Sequence, residues 1–354
     1  MRYNADVIQK TALEELSPAE YYTECCAFLD DFVSQRPKLA SAEVRELLAS
    51  LMRVLLSNPE SREFELLTTI QRLAGPFLVD DQSSAEPAAS VVAALFLFGM
   101  VGKSLFFLSK QPHSHQFEKE IARLFTDLSE VRSNLWLFHT SARLAQAGFQ
   151  IDFIAEKKEP TPDFSAKRDE LTVFVEANAR SPIRRDIAGV KDTLWNVLRG
   201  DAKSGGKQIK FRDSQFEPGL VVVDVSNCDV TSNATGLPPH LKLRSDAFVV
   251  WNEMGRIYDI ARDPEFFDVP ENTGNVVELA VRYFHEMSAT DRYHVRALLV
   301  GISMGVKTVE KGVLGAPKGS VLVVDSRYPQ LALQELSSQI YFIDTRSPLP
   351  ATRA

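Results

Sequence analysis

The hydrophobic period of this chain changes once, near residue 110, and no other sequence feature limits its fold as strongly. Before that point apolar residues recur at helical spacing. After it, short runs rich in β-branched and aromatic residues alternate with helical stretches. A chain of 354 residues with such a change predicts two domains, a helical one over 1–110 and an α/β one over 111–345, with 346–354 as a frayed tail.

The helical half can be read element by element. Ser17-Pro18-Ala19-Glu20 is a capping-box arrangement, with a serine before the first turn, a proline at its first position and a glutamate three residues on. It predicts a helix to about Val33. Ala40-Ser41 opens a second, in which Val44, Leu47, Leu48, Leu51, Leu55 and Leu56 form one stripe. Phe64, Leu66, Leu67, Ile70 and Leu73 mark a third, ending at Gly75-Pro76. The patch from Asp80 to Ser90 is a turn or linker. Ala88–Leu108 is the most apolar stretch, but Lys103 interrupts it after about 15 uncharged residues, short of the roughly 20 that span a bilayer. A buried helix is predicted there.

In the second half, a helical stretch from Phe117 through Leu144 reaches Gly148. Strands are predicted over 149–155, 171–177, 219–225, 295–302 and 320–325, and helices over 183–214, 238–262 and 274–288. Strands alternating with helices imply an α/β layer structure.

Charge narrows the function classes. The net charge of −7 argues against a protein held on polyanions by bulk charge. It is unevenly spread. Residues 1–90 hold 15 acidic and 8 basic side chains and so carry the whole excess, while residues 179–213 hold 9 basic and 4 acidic ones. That basic segment is the first candidate for nucleic acid. The three cysteines, Cys25, Cys26 and Cys228, are no disulfide framework, and MRYNADVIQK has no apolar signal region, so a reducing, cytoplasmic setting is expected.

Two acids carry the chemistry. Asp163 follows Pro162 just after a predicted strand, and Glu176 lies near the end of the apolar strand LTVFVEAN. Alternation puts Thr172, Phe174 and Glu176 on one side of that strand and Val173 and Val175 on the other. Carboxylates converging from neighbouring strands suit Mg²⁺ or Mn²⁺, and such an ion polarises a phosphodiester and activates water. The bland alternative is that Asp163 caps a turn and Glu176 faces solvent.

The succession of a helix ending Leu144-Ala145-Gln146-Ala147-Gly148, a strand, Pro162-Asp163-Phe164, a hairpin, Glu176-Ala177-Asn178, a basic helix and the strand GLVVVDV resembles the PD-(D/E)xK nuclease superfamily over residues 117–226. The resemblance implies a restriction-endonuclease-like mixed central sheet flanked by helices, beside the all-α N-terminal domain. It implies Asp163 and Glu176 as metal ligands, with the backbone carbonyl of Ala177 as a third. Where the family expects lysine, this chain has Asn178, which offers hydrogen bonds without charge. Lys203 and Lys207 in DAKSGGKQIK are the nearest replacements, Lys207 first. Gln208 stands where related nucleases keep a polar residue, and Arg180, Arg184 and Arg185 are placed to meet phosphates.

The expected function is a Mg²⁺- or Mn²⁺-dependent endonuclease of restriction or defence type, acting on DNA before RNA, with no membrane association. A homodimer, and a protein partner for the helical domain, stay open. The alternative is an inactive relative that binds nucleic acid or protein, and a third reading is a helical adaptor carrying an accessory α/β domain. An upstream acid often completes such a site, but Glu118, Glu120 and Glu130 read as exposed helix residues.

Other signals are weaker. Gly301-Ile302-Ser303-Met304-Gly305 matches a nucleophile elbow, yet the last histidine, His294, precedes the serine, so the segment reads as a strand-to-helix turn. GISMGVKT lacks the spacing of a phosphate loop. His113, His115 and His139 lack partners at ligand spacing, and the cysteines read as buried neutral residues.

Overall fold

The computed structural model describes residues 3–9, 18–57, 63–74, 87–112, 115–126, 131–155, 161–179, 194, 197, 211, 214–224, 247–252, 255–261, 284–285, 294–303 and 318–339. The chain forms two compact units. One comprises 1–142, 307–315 and 343–354, and the other 143–306 and 316–342. The break therefore falls at 142/143, whereas the change of texture lies near 110.

The first unit is helical. Its described elements are α1 (Ala5–Gln9), α2 (Pro18–Ser34), α3 (Ala42–Leu56), α4 (Phe64–Ala74), α5 (Pro87–Leu108), α6 (His115–Thr126) and the start of α7 (Val131–Gln146). Ser41 caps α3, its hydroxyl accepting from Val44 N at 3.3 Å. The apolar stripe of α3 buries Val44, Leu47, Leu48 and Leu51. A helix apolar all round must be surrounded, and α2, α3 and α4 all pack on α5. Two glycines let α2 come close, because a side chain at Gly99 would run into the Tyr22 ring and one at Gly102 into the Cys25 carbonyl. Among the described residues no helix is long and apolar enough to cross a membrane. The single helical stretch expected over 117–144 is two helices. The capping serine Ser17 lies outside the described residues.

The second unit is α/β, with helices beside a mixed eight-stranded sheet. The strands are β1 (Gln150–Phe153), β2 (Phe164–Arg168), β3 (Leu171–Ala179), β4 (Gly219–Asp224), β5 (Ala247–Asn252), β6 (Gly255–Ala261), β7 (Val295–Ser303) and β8 (Lys318–Val324), in the order β1-β2-β3-β4-β7-β8-β5-β6. β1, β2 and β3 are antiparallel, β3, β4 and β7 run parallel, β8 reverses against β7, and β5 and β6 form an antiparallel pair beside it. Val221, Val222, Leu298, Leu299, Val323 and Val324 are all buried, so β4, β7 and β8 are covered on both faces, as their unbroken apolar runs require.

The end of α7 sets the start of this sheet. Gly148 takes φ +87°, and Phe149 N reaches back to Leu144 O at 2.9 Å, the closing bond of a Schellman turn. Asp169, with φ 53°, supplies the left-handed residue of the two-residue β2–β3 turn.

One stretch read as helix is strand. Residues 247–252 and 255–261, inside the stretch read as helix over 238–262, are the β5–β6 hairpin. Ala-Phe-Val-Val-Trp-Asn is rich in β-branched and aromatic residues, and Gly255 follows its turn, so strand chemistry overrode the apparent helical spacing. Residues 194, 197 and 284–285 are helical, and the rest of 183–210 and 274–288 lies outside the described residues.

Candidate functional site

β3 outruns β2. The last β2–β3 pair is Phe164 with Val175, but β3 continues to Ala179 alongside β4. Pro162 has no N–H to give the ladder, which stops there. Asp163 is then held in an unusual way. Its N–H donates to Val175 O at 2.9 Å, while its carbonyl accepts from Ile154 N at 2.9 Å. A regular strand residue aims both groups at one neighbour. Asp163 aims them at β3 and at the chain leaving β1, an interruption of the kind that a β-bulge uses to re-aim a side chain.

The re-aimed carboxylate fills the gap that β2 leaves. Asp163 Oδ2 accepts from Ala177 N at 2.8 Å, which fixes it against the peptide joining Glu176 to Ala177. Two-residue alternation turns the Ala177 carbonyl to the same side as its N–H, away from β4. Glu176 stands on the other alternation set. Val173, Val175 and Ala177 are buried, whereas Thr172, Phe174, Glu176 and Asn178 are half-buried. Glu176 Oε2 is nonetheless closed off from solvent.

Asp163 thus meets Ala177 where β3 emerges from its pairing with β2, and Glu176 and Asn178 are the residues on either side of Ala177 along that strand. Among the described residues, no three His, Cys, Asp or Glu side chains lie close enough to hold an ion. A divalent ion here would rest on two carboxylates, the Ala177 carbonyl and water. That sparse oxygen set suits Mg²⁺, which keeps much of its hydration, better than a dedicated Ca²⁺ cage. Asn178 lies two residues beyond Glu176 on the same face and supplies no charge.

Arg180, Arg184, Arg185, Lys203, Lys207, Gln208 and Glu130 lie outside the described residues, as do His113 and Cys228. Glu118 is exposed on α6, but Glu120, expected at the surface, is buried. It sits on the apolar stripe of α6 with Phe117, Ile121 and Leu124, and its carboxylate oxygens accept from Gln116 Nε2 at 2.6 Å and Arg123 Nη1 at 3.3 Å. His139 is buried on α7 beside Trp136. Ser303, expected on a turn, is still in strand β7 opposite Lys318.

A second polar cluster escaped the sequence reading. It sits where β4 and β7 begin and β8 ends. Glu217 accepts from His294 Nδ1 at 2.9 Å, from Arg296 Nε at 2.8 Å and from the Tyr328 hydroxyl. An ionised carboxylate only accepts, so the His294 proton is on Nδ1. The Tyr328 hydroxyl is the main reason that the Glu217 carboxyl is held below its ordinary range, with Arg296 and His294 adding to it against partial burial. Arg327, exposed, chelates Asp325 with both arms of its guanidinium, which raises its affinity for protons further. These residues are 217, 294, 296 and 325–328 in the sequence, and no motif joins them.

No protein-family model matches the chain, and neither a curated protein nor a solved structure matches it.

Proposed function

We propose that the α/β unit is a divalent-metal-dependent nuclease that hydrolyses phosphodiester bonds, with DNA as its substrate, in a reducing cytoplasmic setting. The observation that carries this reading is the clamp on Asp163, whose carboxylate accepts from the Ala177 amide at 2.8 Å, one residue beyond Glu176 on β3. The sheet order supports it too. A three-stranded antiparallel meander feeding a parallel strand is what the resemblance to the PD-(D/E)xK superfamily leads one to expect.

Asp163, Glu176 and the Ala177 carbonyl would hold Mg²⁺ or Mn²⁺. The ion would supply Lewis-acid polarisation of the phosphate and a lower pKa for a bound water. The chain does the rest. Asp163 keeps its orientation through the Ala177 amide, and Glu176, half-buried, stands on the other alternation set of β3. Asn178 donates a neutral hydrogen bond where the family has a cation, and Lys207, or Lys203, is proposed to bring the missing charge against the developing phosphorane. Arg180, Arg184, Arg185 and Gln208 are proposed to hold the polymer through its phosphates.

A second reading is favoured by Asn178 and by the structural work of Asp163 itself. It is a catalytically silent scaffold that binds nucleic acid or protein. Incubation with plasmid, linear DNA and RNA in Mn²⁺ or Mg²⁺ separates the two. The nuclease reading predicts cleavage that Glu176→Gln and Asp163→Asn abolish, while melting temperature is unchanged. The scaffold reading predicts no cleavage by the wild type and salt-sensitive binding indifferent to both substitutions.

A further inference from the structure

The face of β3 that carries Glu176 also carries an aromatic surface. Phe174 is two residues before Glu176 on that face and half-buried. The half-buried Phe216, in the short 3-10 turn Ser214–Phe216, meets it edge to face, with ring centroids 5.4 Å apart. Gly219 of β4 is in parallel register with Phe174 and therefore lies on the same face. A Cβ there would strike the Phe211 ring at 2.5 Å, so the ring lies directly over the glycine. Phe174 and Phe216 thus form a half-buried aromatic pair on the face of β3 that carries Glu176, with the buried Phe211 over the neighbouring Gly219.

Beyond it the polarity reverses. Ser165 of β2 is opposite Phe174, and the exposed Lys167 is opposite Thr172. Along the strands the face reads acid pair, aromatic pair and cation, in two steps of roughly 7 Å each at the ordinary strand rise. Asp152 of β1, opposite Ser165, is an exposed acid at the outer edge. The chain leaving β3 enters the basic segment 179–213.

We infer that this face binds a single nucleic-acid strand, with an unpaired base stacked on Phe174 and Phe216 and the strand running from a phosphate at the Asp163–Glu176 site to the second phosphate along, near Lys167. The inference rests on the metal-site reading and adds a substrate class to it. Charges alone would hold a duplex equally well. A duplex, however, keeps its base faces stacked inside, and only an unpaired base offers a π-face to a phenylalanine.

The test uses the full wild-type chain in Mn²⁺-containing buffer, an oligothymidylate single strand with cleavage-resistant phosphorothioate linkages, and its duplex with the oligoadenylate of the same linkage, with binding followed by anisotropy. The single strand is expected to bind more tightly than the duplex. Phe216→Ala should weaken single-strand binding about tenfold and leave duplex binding alone, as loss of one stacked base does. Phe216→Trp should keep the affinity, and its fluorescence should be quenched by the single strand alone, which a merely structural ring would not show. Equal affinity for both probes, or single-strand affinity unmoved in Phe216→Ala, overturns the inference. A wild type that takes up no Mn²⁺ instead removes the metal site, an outcome read by calorimetry without any oligonucleotide.

Discussion

Gly219→Ala is the substitution whose cost can be worked most directly from the geometry of the site. A Cβ at this position lies 2.5, 2.7 and 2.9 Å from Cδ1, Cε1 and Cγ of Phe211. Ordinary carbon contacts lie at about 3.5–4.0 Å, so the ring must retreat by roughly 1 Å. Phe211 is 2% exposed and has little room to do so. Overpacking of this kind costs about 1–3 kcal/mol. Replacing glycine within a strand returns about 0.5–1 kcal/mol through the unfolded chain. The net loss is about 1.25 kcal/mol at mid-range, or roughly 2.5–5 °C in melting temperature for a unit of this size. Urea denaturation and thermal melts of the intact chain measure it. A partner substitution identifies the cause, since Phe211→Leu shortens the ring that is struck and should make the double variant lose less than the sum of the singles. A Gly219→Ala protein as stable as the wild type, or strictly additive losses, would refute the placement of Phe211 over β4.

Other consequences are equally open to measurement. Gly102→Ala drives a methyl into the Cys25 carbonyl, with Cys25 C at 2.8 Å, and backbone cannot swing aside as a side chain can, so α2 and α5 must separate. A loss of about 2 kcal/mol or more is expected despite the better helix propensity of alanine, and a stabilised variant would contradict it. Glu217 has its carboxyl held below the ordinary range in the folded chain, so its contribution is present above the unfolded carboxylate pKa and is lost as pH falls through the folded one. Glu217→Gln should therefore melt below the wild type at neutral pH and converge with it under acid, and a gap independent of pH would sink the idea. Burial pushes the Cys25 thiol up to about 12, and Cys26 is likewise raised well above its ordinary range by burial and by its neighbour. Iodoacetamide at mildly alkaline pH should leave both unmodified until the helical unit is unfolded, whereas rapid labelling of the native protein would show that α2 opens.

Much of this architecture could be read in the chain because its signals are local. The stripe Val44, Leu47, Leu48 and Leu51 marks α3, and the unbroken apolar runs of β4, β7 and β8 could belong only to strands covered on both faces. The alternation of Val173 and Val175 against Phe174 and Glu176 likewise gave the two sides of β3. The β5–β6 hairpin was missed because its apolar residues also fit a helical spacing, and periodicity cannot decide short runs. The burial of Glu120 was hidden for a related reason. A lone acid on an apolar stripe looks exposed until Gln116 and Arg123 are seen to satisfy it. The Asp163 clamp shows a different limit. Pro162-Asp163 flags a turn, but the bond from the Ala177 amide depends on where β2 leaves β3, which is a property of pairing. The Glu217 cluster joins residues from the start of β4, the start of β7 and the end of β8, so only the assembled sheet reveals it.

Calorimetric titration of Mn²⁺ into the intact protein tests the dicarboxylate site most directly, with the wild type beside Glu176→Gln and Asp163→Asn. Asparagine at 163 still offers an oxygen to the Ala177 amide, so it removes charge while keeping the clamp. The account predicts one saturable site in the wild type and none in either variant, with melting curves in the absence of metal that coincide. Matching Mn²⁺ heats in all three proteins, or no saturable heat in the wild type, would contradict it.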